Sequence, residues 1–182
     1  MGAVSEMKVL SVLMTRDSSS FETFAMQSIR VEVAGIPGDR HYGLLRPADG
    51  RQKLYPRGTP IANRRQISIV SAEECARIAN SLGVPSIRPE WLGANVLVSG
   101  APALSALPRG ARLLFSGGTG LICEGENLPC VGPGELVERA LGRSGLRSAF
   151  VQAAMGRRGI VCSVEKEGML APGETVRVAE GS

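Results

Sequence analysis

The chain has 182 residues, of which 43% are hydrophobic and 21% charged, a composition that suits one domain with a substantial core and excludes a disordered segment. Aromatic residues make up only 4%, so an aliphatic core is expected and a base-stacking surface for single-stranded nucleic acid is not. The net charge is +4, and 18 of the 21 basic residues are arginines scattered along the chain, which disfavours a duplex-binding stripe. These arginines reflect either genomic composition or fixed guanidinium groups for phosphate or another oxyanion.

No export signal is apparent in the sequence. The apolar stretch 9–14 is short and interrupted by Ser11, so it resembles neither a signal peptide nor a membrane span. Four cysteines without a secretory signal are typical of free thiols in the cytosol, and their spacing does not fit a zinc site. We therefore expect a cytoplasmic protein that has no membrane partner.

Short β-rich segments bounded by Gly or Pro run through most of the chain. Eight strands are predicted, over residues 7–14, 27–35, 64–71, 94–100, 112–117, 120–125, 159–166 and 174–180. Helices do not alternate regularly with these strands, which disfavours a parallel βαβ layout. The pattern predicts a mainly β fold, a closed or semi-closed β-barrel with two or three peripheral helices.

Two helices have signals at both ends. The first, 71–82, opens with Ser and Glu at capping-box spacing and stops at Gly83. The second, 133–142, has Pro in its first turn and Gly at its end. A shorter third helix is predicted over residues 146–156.

The stretch EGENLPCVGPG, residues 124–134, places Cys130 in a Pro- and Gly-rich loop rather than in an apolar run. The predicted helix 133–142 begins just after it. If the turn brings the thiol near that helix N-terminus, the partial positive charge there favours thiolate over thiol. The alternative is a small buried residue that only fills space.

A second polar cluster lies in GIPGDRHYG, residues 35–43, where Asp39, Arg40 and His41 are consecutive within a Gly-rich path. One interpretation is a turn in which Asp39 accepts hydrogen bonds from backbone amides and Arg40 is solvated. The other is a polar triplet fixed beside an anion or a reacting group. The only histidine of the chain stands here.

Two further segments invite interpretation. In RPEWLGANVLVSG, residues 88–100, Trp91 is interpreted as a core anchor, and Asn95 is either a turn residue or a polar contact to a bound cofactor. The glycines of SGGTG, residues 116–120, resemble a phosphate loop, but no GK[ST] follows and no helix begins there. We reject a phosphate loop at this position.

Taken together, these segments resemble the MOSC domain family, named for the C-terminal domain of molybdenum-cofactor sulfurases. Six segments carry the resemblance in order: 35–43, 64–74, 88–100, 104–117, 128–141 and 156–178. The likeness extends from about residue 25 to residue 178, so we interpret residues 1–182 as a single MOSC-like domain.

The resemblance implies a barrel similar to the small barrel domain of pyruvate kinase. Cys130 matches the signature cysteine of the family, which in relatives either carries sulfur as a persulfide or ligates molybdenum. Asp39, Arg40 and His41 are implied to lie near it. The resemblance also implies that Arg64 or Arg65 holds the phosphate of the pyranopterin in the molybdenum cofactor.

The chain departs from the larger relatives at its start. Eukaryotic sulfurases carry a pyridoxal-phosphate cysteine desulfurase domain ahead of this module, and amidoxime-reducing relatives carry an additional β-domain. Only about 25 residues precede the resemblance here. We expect a stand-alone module, with pyridoxal phosphate only on a separate cysteine desulfurase that donates sulfur, or with an electron-transfer protein as partner.

Three functional hypotheses follow. The first is a sulfur carrier or sulfurtransferase that acts through a Cys130 persulfide. The second is a molybdenum-cofactor-dependent reductase of small N-hydroxylated compounds with Cys130 as metal ligand. The third is a non-catalytic binding module in which Cys130 is structural. A nucleic-acid partner is not expected under any of them.

Overall fold

Seven strands close into a barrel in the computed structural model, which describes residues 6–17 and 19–179. In chain order the strands are β1 (Glu6–Thr15), β2 (Thr23–Met26), β3 (Ile29–Val31), β4 (Leu45–Pro47), β5 (Pro60–Ala62), β6 (Ile67–Ser71), β7 (Val96–Ser99), β8 (Arg112–Phe115), β9 (Gly120–Glu126), β10 (Ile160–Lys166), β11 (Gly168–Leu170) and β12 (Thr175–Ala179). The helices are α1 (Ala72–Leu82), α2 (Val131–Leu141) and α3 (Leu146–Ala153), with short 3₁₀ turns at Pro89–Leu92 and Leu104–Ala106. The predicted mainly β class with peripheral helices is confirmed.

The order of strands around the barrel is β12, β8, β9, β10, β6, β7 and β1, and β1 closes the ring by pairing with β12. Neighbours run antiparallel except β6 and β7, which are parallel. A parallel pair cannot be joined by a tight turn, so α1 makes the crossover between them. β2 pairs with the last residues of β1 outside the ring.

The barrel interior is aliphatic, as the composition predicts. Val9, Ile69, Leu121 and Ile160 are buried there in one cluster. A second cluster lies between the helices and the outer face of the barrel, and its members include Val70, Ile78, Leu92, Val137 and Phe150. Because side chains alternate along a strand, β6 contributes to both clusters. The helices therefore pack on one side of the barrel, where α2 is held in place.

Local signals set the ends of α1. The Ser71 side chain accepts a hydrogen bond from the Glu74 backbone N–H at 3.1 Å, and Gly83 takes the left-handed conformation with φ +62°. The Glu74 carboxylate does not complete the predicted capping box. It accepts instead from the backbone N–H and the hydroxyl of Ser105, at 2.9 and 2.8 Å. This side chain ties α1 to the second 3₁₀ turn.

The second helix begins two residues before the predicted start. α2 starts at Val131, with Cys130 at its N-cap, and ends before Gly142. The first-turn N–H groups of a helix need no intrahelical acceptor, so Pro133 fits within that turn. α3 ends at Ala153, earlier than the predicted 156. Within the described residues, no helix combines the length and the apolar character needed to cross a membrane.

The predicted strand 27–35 is wrong in its length. Only β3 forms there, and the chain then turns back so that Glu32 and Gly35 pair with each other. Gly35 has φ +111°, which ends extended pairing. β3 pairs with β11 rather than with the barrel strands. Residue 180, the last of the predicted strand 174–180, lies outside the described residues.

One close backbone approach next to the barrel gives a test of the fold. Gly159 has φ +79°, and a Cβ built there would lie 2.0 Å from the carbonyl oxygen of Ile69. Gly159→Ala is expected to lower the free energy of unfolding by about 3 kcal/mol, since backbone strain and a backbone clash add. Urea denaturation monitored by circular dichroism measures the loss.

Gly156→Ala is the matched control. Gly156 also has a positive φ, +70°, but nothing lies within 4 Å of a Cβ placed there. Only strain remains, about 1 kcal/mol. Equal losses for the two variants would contradict the steric explanation.

Candidate functional site

A cavity of about 440 Å³ opens beside the N-terminus of α2, a volume typical of small-molecule sites. Among the described residues, its wall carries Cys130, His41 and a single carboxylate, Asp49. It also carries five arginines: Arg40, Arg46, Arg51, Arg65 and Arg158. With five guanidinium groups against one carboxylate, the cavity is suited to an anionic ligand.

Cys130 occupies the N-cap of α2 with extended backbone, φ −137°, and its side chain makes no capping hydrogen bond. The residue is half-buried. A Cβ built on Gly132 would lie 3.9 Å from the Cys130 Sγ, so the sulfur lies over the first turn of the helix. The positive end of the helix dipole is therefore next to the thiol.

The other three cysteines are buried and face elsewhere. Burial raises the pKa of Cys75 to about 12, and it also raises the pKa of Cys123 and of Cys162. Cys123 and Cys162 lie opposite each other on β9 and β10 inside the barrel. Within the described residues, Cys130 is thus the one cysteine on the cavity wall.

Arg158 is buried and Arg65 is half-buried, and neither has a carboxylate within 4.0 Å among the described residues. Arg65 Nη2 donates to Asn127 Oδ1 at 2.9 Å, and Arg158 Nη2 donates to the Leu92 carbonyl. Burial lowers the pKa of each guanidinium to about 10, an effect that negative charge on Cys130 opposes. A buried cation without a counter-charge is costly, so this wall favours an anion.

The remaining arginines of the wall are nearer to solvent. Arg46 pairs with Asp49, with 2.5 Å between Nη2 and Oδ2, so the one carboxylate of the wall is already engaged. The Arg40 guanidinium lies 5.4 Å from the centre of the Phe21 ring. Such stacking holds the group in place without neutralising it.

Positive charge is concentrated in the segment that forms this wall. Residues 40–65 contain seven basic residues and one acidic residue, a net +6, whereas the whole chain has a net charge of +4. The remaining residues therefore sum to −2. Six of the 18 arginines thus lie in one segment, and such a field attracts anions toward the cavity.

Of the predicted polar triplet, Arg40 and His41 lie on the wall, but Asp39 does not. Asp39 is buried and accepts from the Thr15 backbone N–H at 3.1 Å, the His41 backbone N–H at 3.0 Å and Asn95 Nδ2 at 3.2 Å. His41 Nδ1 lies 3.4 Å from Asp39 Oδ1. Asp39 therefore holds the loop that presents Arg40 and His41.

Asn95 and Arg64 differ from the expectation that they contact a cofactor. Asn95 is 1% exposed, and its amide bonds the Ser68 backbone N–H and the Leu13 carbonyl, so it joins strands rather than lining the cavity. Arg64 points to the opposite side of the chain from Arg65 and pairs with Glu124 at 3.6 Å. Trp91 packs against the second cluster, as interpreted.

Sequence reasoning missed Arg46, Arg51, Asn127 and Arg158. The net charge of successive sequence windows would have indicated Arg46 and Arg51, because it is highest around them. Arg158 has a weaker signal, since it stands between a second arginine and the Gly159 that precedes a buried strand. The carbonyl that accepts its hydrogen bond, that of Leu92, is 66 residues away in sequence.

The model of the MOSC domain family matches residues 38–177 of this chain. The chain belongs to the MOSC domain family. A curated relative is the Bacillus subtilis (strain 168) protein YuaD, provisionally named for metal-sulfur cluster biosynthesis, which is 51% identical over 163 residues, covering 89% of this chain and 85% of YuaD.

Solved structures agree with this assignment. The crystal structure of a YuaD protein from Bacillus subtilis has a TM-score of 0.95 at 46% identity and covers all of both chains. The structure of YiiM from Geobacillus stearothermophilus has a TM-score of 0.64 at 13% identity, covering 96% of this chain and 75% of that one. The second likeness shows the fold alone.

Cys130 is expected to react first with an alkylating agent near neutral pH. Cys75, Cys123 and Cys162 are buried and their pKa values are raised, so little thiolate is present to react. Timed iodoacetamide labelling of the folded protein, with peptide mass spectrometry, gives the order. Earlier labelling of any buried cysteine would contradict the assignment.

Asp39→Asn is expected to destabilise the protein in a pH-dependent manner. Burial alone would raise the pKa of Asp39, but hydrogen bonds from His41 and Thr15 outweigh it and hold the pKa below the ordinary 3.8. The carboxylate therefore adds stability above that value, and the contribution is lost as the pH falls through the lowered pKa. The loss for Asn is about 2–3 kcal/mol near neutral pH, and it shrinks as the pH falls through the lowered pKa of Asp39.

Urea denaturation of both proteins across this pH range measures the difference. Asp49→Asn is the control. Burial would raise the pKa of Asp49, but hydrogen bonds from Arg51 and Arg46 outweigh it and lower that pKa as well. Its side chain is 36% exposed, so a smaller loss is expected. A loss for Asp39→Asn that does not change with pH would contradict the proposed charge.

Proposed function

We propose that this MOSC protein carries sulfur as a persulfide on Cys130, which it receives from a donor and passes to an acceptor. One observation carries the proposal: a half-buried thiol without a second cysteine on its described wall lies at a helix N-terminus and faces a cationic cavity. Such a thiol is accessible to a donor and has no neighbour with which to form a disulfide.

The transfer itself needs only a thiolate and a persulfide. The Cys130 thiolate attacks the outer sulfur of a donor R–S–SH, the S–S bond of the donor breaks, and R–S⁻ leaves while Cys130–S–SH forms. The N-terminus of α2 and the guanidiniums of Arg65 and Arg158 place positive charge around the cavity that the sulfur faces. A cysteine desulfurase that holds pyridoxal phosphate is the proposed donor. The provisional naming of YuaD for metal-sulfur cluster biosynthesis supports a role in sulfur handling.

A second candidate function is reduction of small N-hydroxylated compounds with a molybdenum cofactor. The residues present fit the cofactor: Cys130 offers a soft thiolate, and Arg158 has a buried Nη1 without an acceptor in the described structure. Cys130 would hold the metal, and Arg65 with Arg158 would hold the anionic part. The cofactor would supply two-electron redox chemistry, and a separate electron-transfer protein would be required.

Cys130→Ser tests the carrier function. After incubation with cysteine and a cysteine desulfurase, the wild-type protein is expected to gain the mass of one sulfur atom on Cys130, and the variant is expected to gain none. Stability should not fall, because Ser caps a helix better than Cys by a few tenths to about 1 kcal/mol. Intact-protein mass spectrometry and urea denaturation provide the two readouts.

Cys75→Ser is the control and should load as the wild type does. Metal analysis of protein purified from a molybdenum-replete host separates the two candidates. Stoichiometric molybdenum that Cys130→Ser removes, without persulfide formation, would favour the reductase. A wild-type Cys130 that takes up neither sulfur nor metal and resists alkylation would indicate a binding module.

A further inference from the structure

The guanidinium of Arg158 lacks one hydrogen-bond acceptor among the described residues. Its side chain is buried, with 3% of the residue exposed, and it lines the Cys130 cavity. Nη2 donates to the Leu92 carbonyl, whereas Nη1 is buried and has no acceptor within the described part of the chain. A buried donor of a charged group that lacks an acceptor costs more than a neutral one.

The surroundings of Arg158 do not supply a counter-charge. Asp49, the only carboxylate on the described wall, is paired with Arg46. Arg65 shares the wall and donates to a neutral amide, Asn127. The free N–H groups of the first turn of α2 add to the same positive field beside Cys130. One buried guanidinium, one half-buried guanidinium and a helix N-terminus therefore lie around one thiol.

The guanidiniums and the helix N-terminus would bind any small oxyanion, but the thiol of Cys130 indicates a ligand that can also react with a thiolate. A ligand that uses the whole site has a negative head for the guanidiniums and an electrophilic sulfur next to that head for Cys130. We propose that the cavity takes anionic sulfur donors of the thiosulfonate class, with Arg65 and Arg158 on the sulfonate oxygens and Cys130 as sulfur acceptor. This inference rests on the proposed carrier function and names a small-molecule donor for it.

The transfer balances with the donor alone. With thiosulfate as the probe, the Cys130 thiolate attacks the outer sulfur, the S–S bond breaks, and the electron pair leaves with sulfite: Cys–S⁻ + S–SO₃²⁻ gives Cys–S–S⁻ + SO₃²⁻. Negative charge builds up on the departing sulfite, where planar guanidiniums bind oxygen pairs well. With cyanide as acceptor, Cys–S–S⁻ + CN⁻ gives Cys–S⁻ + SCN⁻, which returns the enzyme to its starting state.

The test follows thiocyanate formation from thiosulfate and cyanide, together with the mass of Cys130 after thiosulfate alone. The full-length protein is expected to turn over and to gain one sulfur atom on Cys130. Arg65→Met and Arg158→Met are each expected to lower kcat/KM for thiosulfate by about 10- to 100-fold, the value of one charge-assisted hydrogen bond. Arg64→Met is the matched control, since Arg64 neighbours Arg65 in sequence but pairs with Glu124 outside the cavity.

Arg158 is so buried that its variant can fail to fold, in which case Arg65→Met, at a half-buried position, decides the result. Loading from cysteine and a cysteine desulfurase runs in parallel. Desulfurase loading without thiosulfate loading would overturn this inference and leave the carrier function standing. No loading from either donor would overturn both.

Two further outcomes bear on the site. Thiosulfate turnover that Arg65→Met and Arg64→Met change equally would overturn the placement of the sulfonate. Calorimetry on Cys130→Ser compares thiosulfate with inorganic phosphate at equal concentration. Tighter binding of thiosulfate, lost in Arg65→Met, supports the proposal, and binding of phosphate alone would overturn it.

Discussion

The close approach of Gly159 to β6 fixes the positions of the groups around the cavity. No side chain fits between this residue and the Ile69 carbonyl, so the two backbones lie in direct contact. The Gly159 carbonyl accepts from the Asn127 backbone N–H at 2.9 Å, and its own N–H donates to Ser105 Oγ at 2.8 Å. Arg158 precedes it, and Cys130 lies three residues after Asn127. The contacts of this glycine thus connect the segment that carries Arg158 to the segment that leads to Cys130.

The same region contains one buried carboxylate and two arginines whose surroundings differ. Asp39 has several donors, and its pKa is lowered, so it is stable as an anion beneath the loop. Arg65 and Arg158 have the opposite situation, since their surroundings lower the pKa and supply neutral acceptors only. Structural charges in a folded protein are usually paired. The unpaired ones lie at the cavity, which is why a ligand is the simplest way to balance them.

Sequence patterns predicted the features whose cause is local. Ser71 and Gly83 bound α1 because a cap and a left-handed residue act within one turn. The predicted strand 27–35 is too long because the chain turns back locally at Glu32 and Gly35, and the partner of the strand that does form, β11, lies far away in sequence. Arg65 and Arg64 carry the same signal in sequence, and only packing decides which of them enters the cavity. Arg158 acquires its role from contacts across the barrel, so its sequence neighbours do not reveal it.

The residues around Cys130 are poor choices for the stability of the start of α2. Ser, Thr, Asp or Asn at this N-cap would bond the free N–H groups of α2, whereas Cys130 makes no such bond. Gly132, within the first turn, is a poor helix former, and a Cβ there would lie at ordinary van der Waals distance, 3.9 Å, from the sulfur. Both choices cost stability, and the missing cap leaves unbonded N–H groups beside Sγ. Departures from local preference that serve one atom are expected at a functional site, and here that atom is the sulfur of Cys130.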